Sequence, residues 1–368
     1  MRIVHIIPFL WSGAGKVVAD LCVSQQDQHD VMIVTSGTSK GFVDWPAYRS
    51  RLTENGVSHR RIDFFDRDSA VFWKSVQDLS SLLSDYDPDV VHCHSGVPAC
   101  AAAVVRDSGA VSFRSISQLH SWGTGRPEWM NTMDIAGFRR SDLVIANAAA
   151  YRRTLMNAGL PSSQIVSIPW GVTPEALDSS VPALRNSGRI GFVGRLEPRK
   201  GQLELVQAFG LLRRNRPKLR LELVGPAADL SYAQEIEKFV RAENLSDSVW
   251  MGGQVTDVFR HERNWELFVS LSRDEGQGMA ILEAMALGVP VLAKSCPGVQ
   301  DYLRDGKNAI ALNSDDAKDV AESVAWALDH PSETHKLSVH ARKMVEDSYA
   351  WDRTVLEMET VYGIRENI

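Results

Sequence analysis

Short apolar runs alternate along this chain with segments whose apolar positions recur every three or four residues. Arg2–Ile7, Val31–Thr35, Asp89–Cys93, Val111–Ile116 and Leu143–Ala146 read as strands. Lys16–Ser24, Val71–Leu83 and Pro98–Asp107 read as helices; in the second, Val71, Phe72, Val76, Leu79, Leu82 and Leu83 form one face. The same alternation restarts with strands at Arg189–Val193, Arg220–Val224, Val249–Met251, Leu267–Leu271, Val289–Ala293 and Ala309–Leu312. Between them come helices at Gln202–Arg214, Ser231–Glu243, around Glu283 and at Asp316–Asp329. Strands separated by helices predict parallel, doubly wound sheets.

The two series are separated by a stretch with little periodicity, two prolines and many small polar residues, which reads as a linker over 173–188. The expected organisation is therefore α/β, with two Rossmann-like domains facing across a cleft. They cover residues 1–172 and 189–349, and an amphipathic segment, 350–368, follows.

At 368 residues the chain is long for a single core. Its 44% hydrophobic and 23% charged residues are ordinary for a water-soluble globular protein. The formal charge of −6 gives no general footprint for nucleic acid. It falls on the second half: residues 1–172 carry 16 basic and 16 acidic side chains, the remainder 24 and 30. Basic clusters at His59-Arg60-Arg61, Arg139-Arg140 and Arg152-Arg153 suit an anionic membrane surface or acceptor, but solvated faces are the commoner explanation. Four cysteines, Cys22, Cys93, Cys100 and Cys296, show no paired spacing, which fits a reducing cytosol. The opening MRIVHIIPFL has no small-residue cleavage site and reads as a buried strand. No apolar stretch reaches the roughly 18–20 residues of a membrane span.

Candidate chemistry concentrates at two strand ends. After Leu267–Leu271 comes SRDEGQGMAILEAMA, residues 272–286, with Glu275 and Glu283 on either side of a glycine turn and a helix start. A helix N-terminus at a strand's C-terminal edge offers free N–H groups and a positive dipole end to an anion. The two carboxylates suit sugar hydroxyls, because an ionised carboxylate only accepts and each hydroxyl donates. After Arg189–Val193 comes Gly194-Arg195-Leu196-Glu197-Pro198-Arg199-Lys200-Gly201, which can aim Arg195 and Lys200 at one polyanion.

These two segments resemble the E-x7-E motif and the GR-L-x-P-x-KG loop of the retaining family 4 glycosyltransferases (glycosyl transferases group 1), which have the GT-B fold. The resemblance covers essentially the whole second half and more loosely the first. Two positions depart from the usual EGFGLP: Gln277 replaces an aromatic residue and Ala280 a proline. The resemblance implies a retaining hexosyltransferase that uses a nucleoside-diphosphate sugar, with UDP-sugar as the default donor, and needs no cofactor or metal. It implies that Arg195 and Lys200 grip the diphosphate and that Glu283 binds the ribose. The amides near Met279, Ala280 and Ile281 hold phosphate, while Glu275 and the backbone of Gly276, Gln277 and Gly278 hold the donor sugar. Glu275, His120, Arg195 and Lys200 are the implied catalytic group. A glycan, glycolipid or small-molecule acceptor, a setting in cell-envelope polysaccharide synthesis, and a cytoplasmic location with peripheral contact at the inner membrane face follow by analogy. The C-terminal segment is expected to return to the first domain. A nucleotide-sugar epimerase or phosphorylase of the same fold, and a non-catalytic nucleotide-sugar-binding protein, stay open as alternatives.

The first half carries weaker signals. Ser12-Gly13-Ala14-Gly15-Lys16 fits neither a P-loop, since residue 10 is leucine and Val17 follows the lysine, nor a dinucleotide fingerprint, since Val18 takes the third glycine position. It resembles the family's first glycine-rich loop, in which Gly13 would let a ligand approach the backbone. His120 stands where the family often has a histidine touching the donor sugar, although Ser121 replaces the usual aspartate; a structural histidine is an equal alternative. His92 and His94 show no third ligand at metal spacing and are expected on alternate faces. Asp85-Tyr86-Asp87 precedes a proline and reads as a turn.

Overall fold

Continuous apolar strands and small-residue helices build the first unit, Met1–Trp170 with Thr354–Ile368. In the computed structural model, which describes residues 1–36, 44–64, 69–122, 128–177 and 186–363, this unit begins with β1 (Arg2–Ile7), α1 (Ser12–Gln26), β2 (Asp30–Thr35), α2 (Pro46–Glu54) and β3 (Ser58–Arg61). It continues with α3 (Ser69–Tyr86), β4 (Val90–Cys93), α4 (Gly96–Asp107), β5 (Arg114–Leu119), α5 (Glu128–Arg139), β6 (Leu143–Ala146), α6 (Ala149–Asn157) and β7 (Ile165–Ser167). The sheet is parallel, in the order β3-β2-β1-β4-β5-β6-β7. The inner strands β1, β2 and β4 are buried on both faces, which explains their near-continuous apolar character.

The second unit, Gly171–Arg353, holds α7 (Pro174–Leu177), β8 (Arg189–Val193), α8 (Gln202–Arg213), β9 (Arg220–Val224), α9 (Leu230–Ala242) and β10 (Val249–Gly253). It goes on with α10 (Val258–Glu262), β11 (Leu267–Ser270), α11 (Met279–Ala286), β12 (Val291–Lys294), β13 (Ile310–Leu312), α12 (Ala317–Asp329) and α13 (Pro331–Ser348). Its parallel sheet runs β10-β9-β8-β11-β12-β13. Asp229 caps α9 by accepting from the Ser231 and Tyr232 N–H groups, and Asp316 caps α12 through Lys318 N–H.

The last helix, α14 (Trp351–Tyr362), belongs to the first unit from Thr354 onward. Its Tyr362 hydroxyl lies 2.6 Å from His92 Nδ1 within that unit. Residues 364–368 lie outside the described residues, as do 178–185 of the expected linker.

The structure shifts several expected elements. The Ser12–Gly15 turn is the first turn of α1; Gly15 fits there because a Cβ would stand 2.6 Å from the Leu10 carbonyl carbon. The strand expected at Val111–Ile116 lies at Arg114–Leu119, where buried Ser115, Ser117 and Gln118 conceal it; Ser117 and Ser141 satisfy one another through their hydroxyls at 2.6 Å. Helix α13 escapes an apolar reading because four of its buried positions are Thr334, Ser338, Ala341 and Val345, two of them polar and one small. The edge strand β3 reads Ser-His-Arg-Arg, a polar composition that discourages edge pairing.

The basic clusters are largely tied into their own unit. His59 and Arg61 each come within 3.8 Å of Asp44, Arg139 donates to the Ala158 carbonyl, Arg140 pairs with Asp107 and Arg152 donates to the Ile165 carbonyl. Asp85 and Tyr86, expected in a turn, are instead the last residues of α3; Asp87 just beyond it pairs with Arg2, and Asp89 accepts from the Arg2 backbone N–H. Among the described residues, no helix is long and apolar enough to cross a membrane.

Candidate active site

In the second sheet the chain winds outward from β8 through β9 to β10, then returns to the other side of β8 with β11. The crossovers diverge between β8 and β11, and a crevice at the carboxyl ends of such strands is where open α/β sheets take ligands. Both segments singled out from the sequence leave the sheet here, one after β8 and one after β11.

The loop after β8 is organised around Glu197, whose Oε1 forms ion pairs with Arg195 Nη2 at 3.0 Å and Arg199 Nη2 at 2.8 Å. Gln202 Nε2 donates to the Arg195 carbonyl at 2.7 Å and fixes the backbone below that guanidinium. Gly201 closes the loop with φ 73°, and a Cβ there would stand 2.7 Å from Leu271 Cβ, so glycine lets the loop lie against the end of the β11 segment.

Four contacts bind the loop after β8 to the one after β11. Lys200 Nζ meets Glu275 Oε1 at 2.5 Å, and Arg199 Nη1 donates to the Asp274 carbonyl at 2.8 Å. Arg273 Nη1 donates to the Pro198 carbonyl at 2.9 Å, while its N–H donates to the Arg199 carbonyl at 2.8 Å. Burial alone would push the Glu275 carboxyl up; Lys200 at contact distance, with Ser272 and Arg199, more than offsets this and holds it below the usual carboxylate range. Burial pulls the Arg195 guanidinium down from its ordinary value, with Glu197 opposing.

Helix α11 begins right after this turn. The N–H groups of Met279 and Ala280 have no intrahelical acceptor, as at any helix start. Ile281 differs from expectation: its N–H donates to the Gly278 carbonyl at 2.9 Å and is already spent. Glu283 follows just over one turn into the helix and is buried. Gln277 is buried at 5% exposure, while the Tyr302 hydroxyl donates to its carbonyl at 2.9 Å and lies 3.2 Å from that of Gly278.

Gly298 lets a neighbouring loop support this turn. Its φ is +89°, and a Cβ would stand 2.3 Å from the Glu275 carbonyl oxygen and 2.7 Å from that of Gly276. Backbone cannot yield cheaply, and the left-handed conformation costs a non-glycine residue about 1–2 kcal/mol. Gly298→Ala is therefore expected to lower the urea midpoint and to weaken nucleotide binding by at least about tenfold. At Gly253, whose φ is +60° and where a Cβ would meet nothing within 4 Å, alanine carries only the conformational cost and should leave binding unchanged.

The remaining expected residues sit in the first unit. Gly13 lies in the first turn of α1, where a Cβ would meet nothing within 4 Å, so this chain's own packing does not demand the glycine. His120 follows β5 and stacks on Trp170 with ring centroids 5.7 Å apart. His92 and His94 share a face, contrary to expectation, since positions two apart in a strand point the same way; their rings are 4.1 Å apart. The fold adds His5, which pairs in register with His92 across β1 and β4. Candidate ligand atoms of these three rings lie within 4.8 Å of one another, a cluster that sequence spacing could not reveal. Sequence reading also missed Arg273, Arg199 and Tyr302; the cation directly before two acids in Arg273-Asp274-Glu275 was the available signal for the first.

Comparison with known proteins decides the family. The description "Glycosyltransferase Family 4" matches residues 11–176 and "Glycosyl transferases group 1" matches residues 178–344. The chain belongs to glycosyltransferase family 4. The capsular polysaccharide biosynthesis glycosyltransferase CapM of Staphylococcus aureus is 27% identical over 174 residues, 47% of this chain but only 45% of that protein. A GDP-mannose-dependent alpha-(1-6)-phosphatidylinositol monomannoside mannosyltransferase of Mycobacterium tuberculosis is 27% identical over 298 residues, 74% of this chain and 75% of that one. HepE of Anabaena, solved with UDP and glucose, superposes with a TM-score of 0.83 at 18% identity, covering 99% of this chain and 100% of that one. That likeness establishes the fold: the two parallel α/β sheets of this family 4 glycosyltransferase are those of GT-B enzymes.

Proposed function

We propose that this glycosyltransferase moves a hexose-type sugar from a nucleoside-diphosphate sugar to an acceptor hydroxyl, with retention at the anomeric carbon. The observation that carries the reading is the 2.5 Å pairing of Lys200 with Glu275, which draws the loops after β8 and β11 together beside the start of α11. A diphosphate leaving group gains charge as the glycosidic bond breaks. Arg195, Lys200 and the Met279 and Ala280 N–H groups are the donors available to meet that charge. Interactions that strengthen in the transition state raise the rate rather than only the affinity.

Glu275 and the backbone of Gly276, Gln277 and Gly278 hold the donor sugar, and Glu283 the ribose. In the retaining course the leaving phosphate takes the acceptor proton on the same face of a short-lived oxocarbenium-like species. Glu275 then positions the sugar, its charge held by Lys200, and does not attack it. A uridine nucleotide is the proposed donor carrier, supported by the UDP complex of HepE; the mannosyltransferase relative makes guanosine the competing base. Capsular polysaccharide synthesis in the CapM relative supports a glycan or glycolipid acceptor.

A thermal-shift panel with UDP, GDP, ADP and their sugars tests the donor class. Ligand at about 100 times its Kd stabilises the native state by about 2.7 kcal/mol, so UDP and UDP-sugars are expected to raise Tm by several degrees. A selective response to GDP would overturn the choice of base, and no response to any nucleotide would overturn the site. Product analysis with a responding α-linked donor checks stereochemistry: an α-linked product is expected, and a β-linked one excludes retention.

A further inference from the structure

Behind His120 the first unit contains a line of side chains that the family assignment leaves unused. It runs from His120, past the end of β5, into the core: His120 Nε2 lies 3.1 Å from His94 Nδ1, His94 Nε2 lies 3.0 Å from His5 Nδ1, and His5 Nε2 lies 2.8 Å from Gln25 Oε1. His5, His94 and Gln25 are buried, at 0%, 3% and 0% exposure. His120 is half-buried.

All three rings are neutral near pH 7. Burial pushes His5 and His120 down to about 4, and His94 well below its ordinary value. A neutral imidazole has one donor nitrogen and one acceptor nitrogen. In an unbranched line of such rings, the choice made at one end therefore dictates every other ring. Gln25 presents its oxygen, so His5 must donate from Nε2 and accept at Nδ1. His94 must then donate from Nε2 and accept at Nδ1, and His120 must donate from Nε2. His120 Nδ1 is left as a lone pair.

A second buried contact secures the inner end. The Tyr362 hydroxyl, brought by α14, lies 2.6 Å from His92 Nδ1, and that ring is 5.3 Å from His5 centroid to centroid. The clustering of His5, His92 and His94 could also be taken for a cation site. Yet both His5 and both His94 ring nitrogens are already engaged in the line, and the cluster contains no carboxylate among the described residues.

We propose that His94, His5 and Gln25 are positioning residues that hold His120 in the Nε2–H tautomer, presenting Nδ1 as an acceptor for a hydroxyl of the sugar donor or of the acceptor substrate. The second clause rests on the reading of His120 as a substrate contact; the first does not. A side chain that fixes the tautomer of a partly exposed histidine decides whether that ring can receive a hydroxyl hydrogen.

The test is long-range proton–nitrogen NMR of the ¹⁵N-histidine-labelled full chain at pH 7, which reads tautomers without any assay of activity. The expected spectrum places His120 in the Nε2–H form; the Nδ1–H form, or a mixture, in the wild-type chain overturns the proposal. Gln25→Leu removes the terminal acceptor and is expected to turn His120 into a mixture. Gln25→Glu keeps an acceptor there and should retain the Nε2–H form. If Gln25→Leu leaves the tautomer unchanged, the line does not set it and the proposal fails. Transfer assays then probe the substrate clause: Gln25→Leu should lower kcat several-fold with KM nearly constant and Gln25→Glu should restore it. A tautomer shift with no change in kcat would reject His120 as a substrate contact while leaving the positioning line intact.

Discussion

Replacing Lys200 with alanine is expected to lower kcat/KM by about 100- to 1,000-fold, the usual cost of removing one preorganised group that meets developing charge. It should also destabilise the second unit, because Lys200 and Glu275 are both largely buried, at 11% and 15% side-chain exposure. Removing one partner of such a pair leaves the other uncompensated, which costs about 3 kcal/mol. The two effects are separable. In Lys200→Met combined with Glu275→Gln neither charge is left alone, so the urea midpoint should recover most of its loss while transfer stays at least as impaired. Residues in direct contact are expected to be non-additive in this way. A double variant as active as the wild type would show that the pair only supports the loop.

The second large effect is on stability in acid. His5, His92 and His94 are fully buried, and burial holds His5 at about 4 and the other two well below 6.5. In the unfolded chain each titrates near 6.5. Below that value the unfolded state binds protons that the folded state refuses, so stability falls as pH falls from about 6.5 toward 4. One such group contributes about 1.4 kcal/mol per pH unit across that interval. Three together approach about 4 kcal/mol per pH unit near pH 5. Urea melts followed on the first unit should therefore be level between pH 7 and 8 and lose midpoint steeply between pH 6 and 5. A profile level down to pH 5 would mean that these rings are solvated or charged in the native state.

Which parts of this enzyme could be read from its sequence follows from how far each signal travels. The loop at 194–201 and the turn and helix at 275–286 announce themselves because every needed residue lies within one short segment beside an apolar strand. Their meeting also follows from topology, since β8 and β11 are neighbours at the reversal of strand order. The ties that hold them do not: Arg273 reaches Pro198 and Glu204, and Tyr302 reaches Gln277, across 25 to 75 residues. Likewise His5 meets His94 across 89 residues and Tyr362 meets His92 across 270, so no local spacing could place them. An element was displaced where polar residues face inward, as in β5, and missed where the buried stripe is small and polar, as in α13. The loss of the Ile281 N–H to Gly278 was equally hidden, because it depends on how the helix start tightens and not on residue type.

The most direct measurement is the crystal structure of the full chain with UDP bound. If the account is right, the β-phosphate oxygens will lie within hydrogen-bond distance of Arg195, Lys200 and the Met279 or Ala280 N–H, between the ends of β8 and β11. A diphosphate seated elsewhere, with Lys200 and Glu275 still closed on each other and no phosphate at the start of α11, would contradict it.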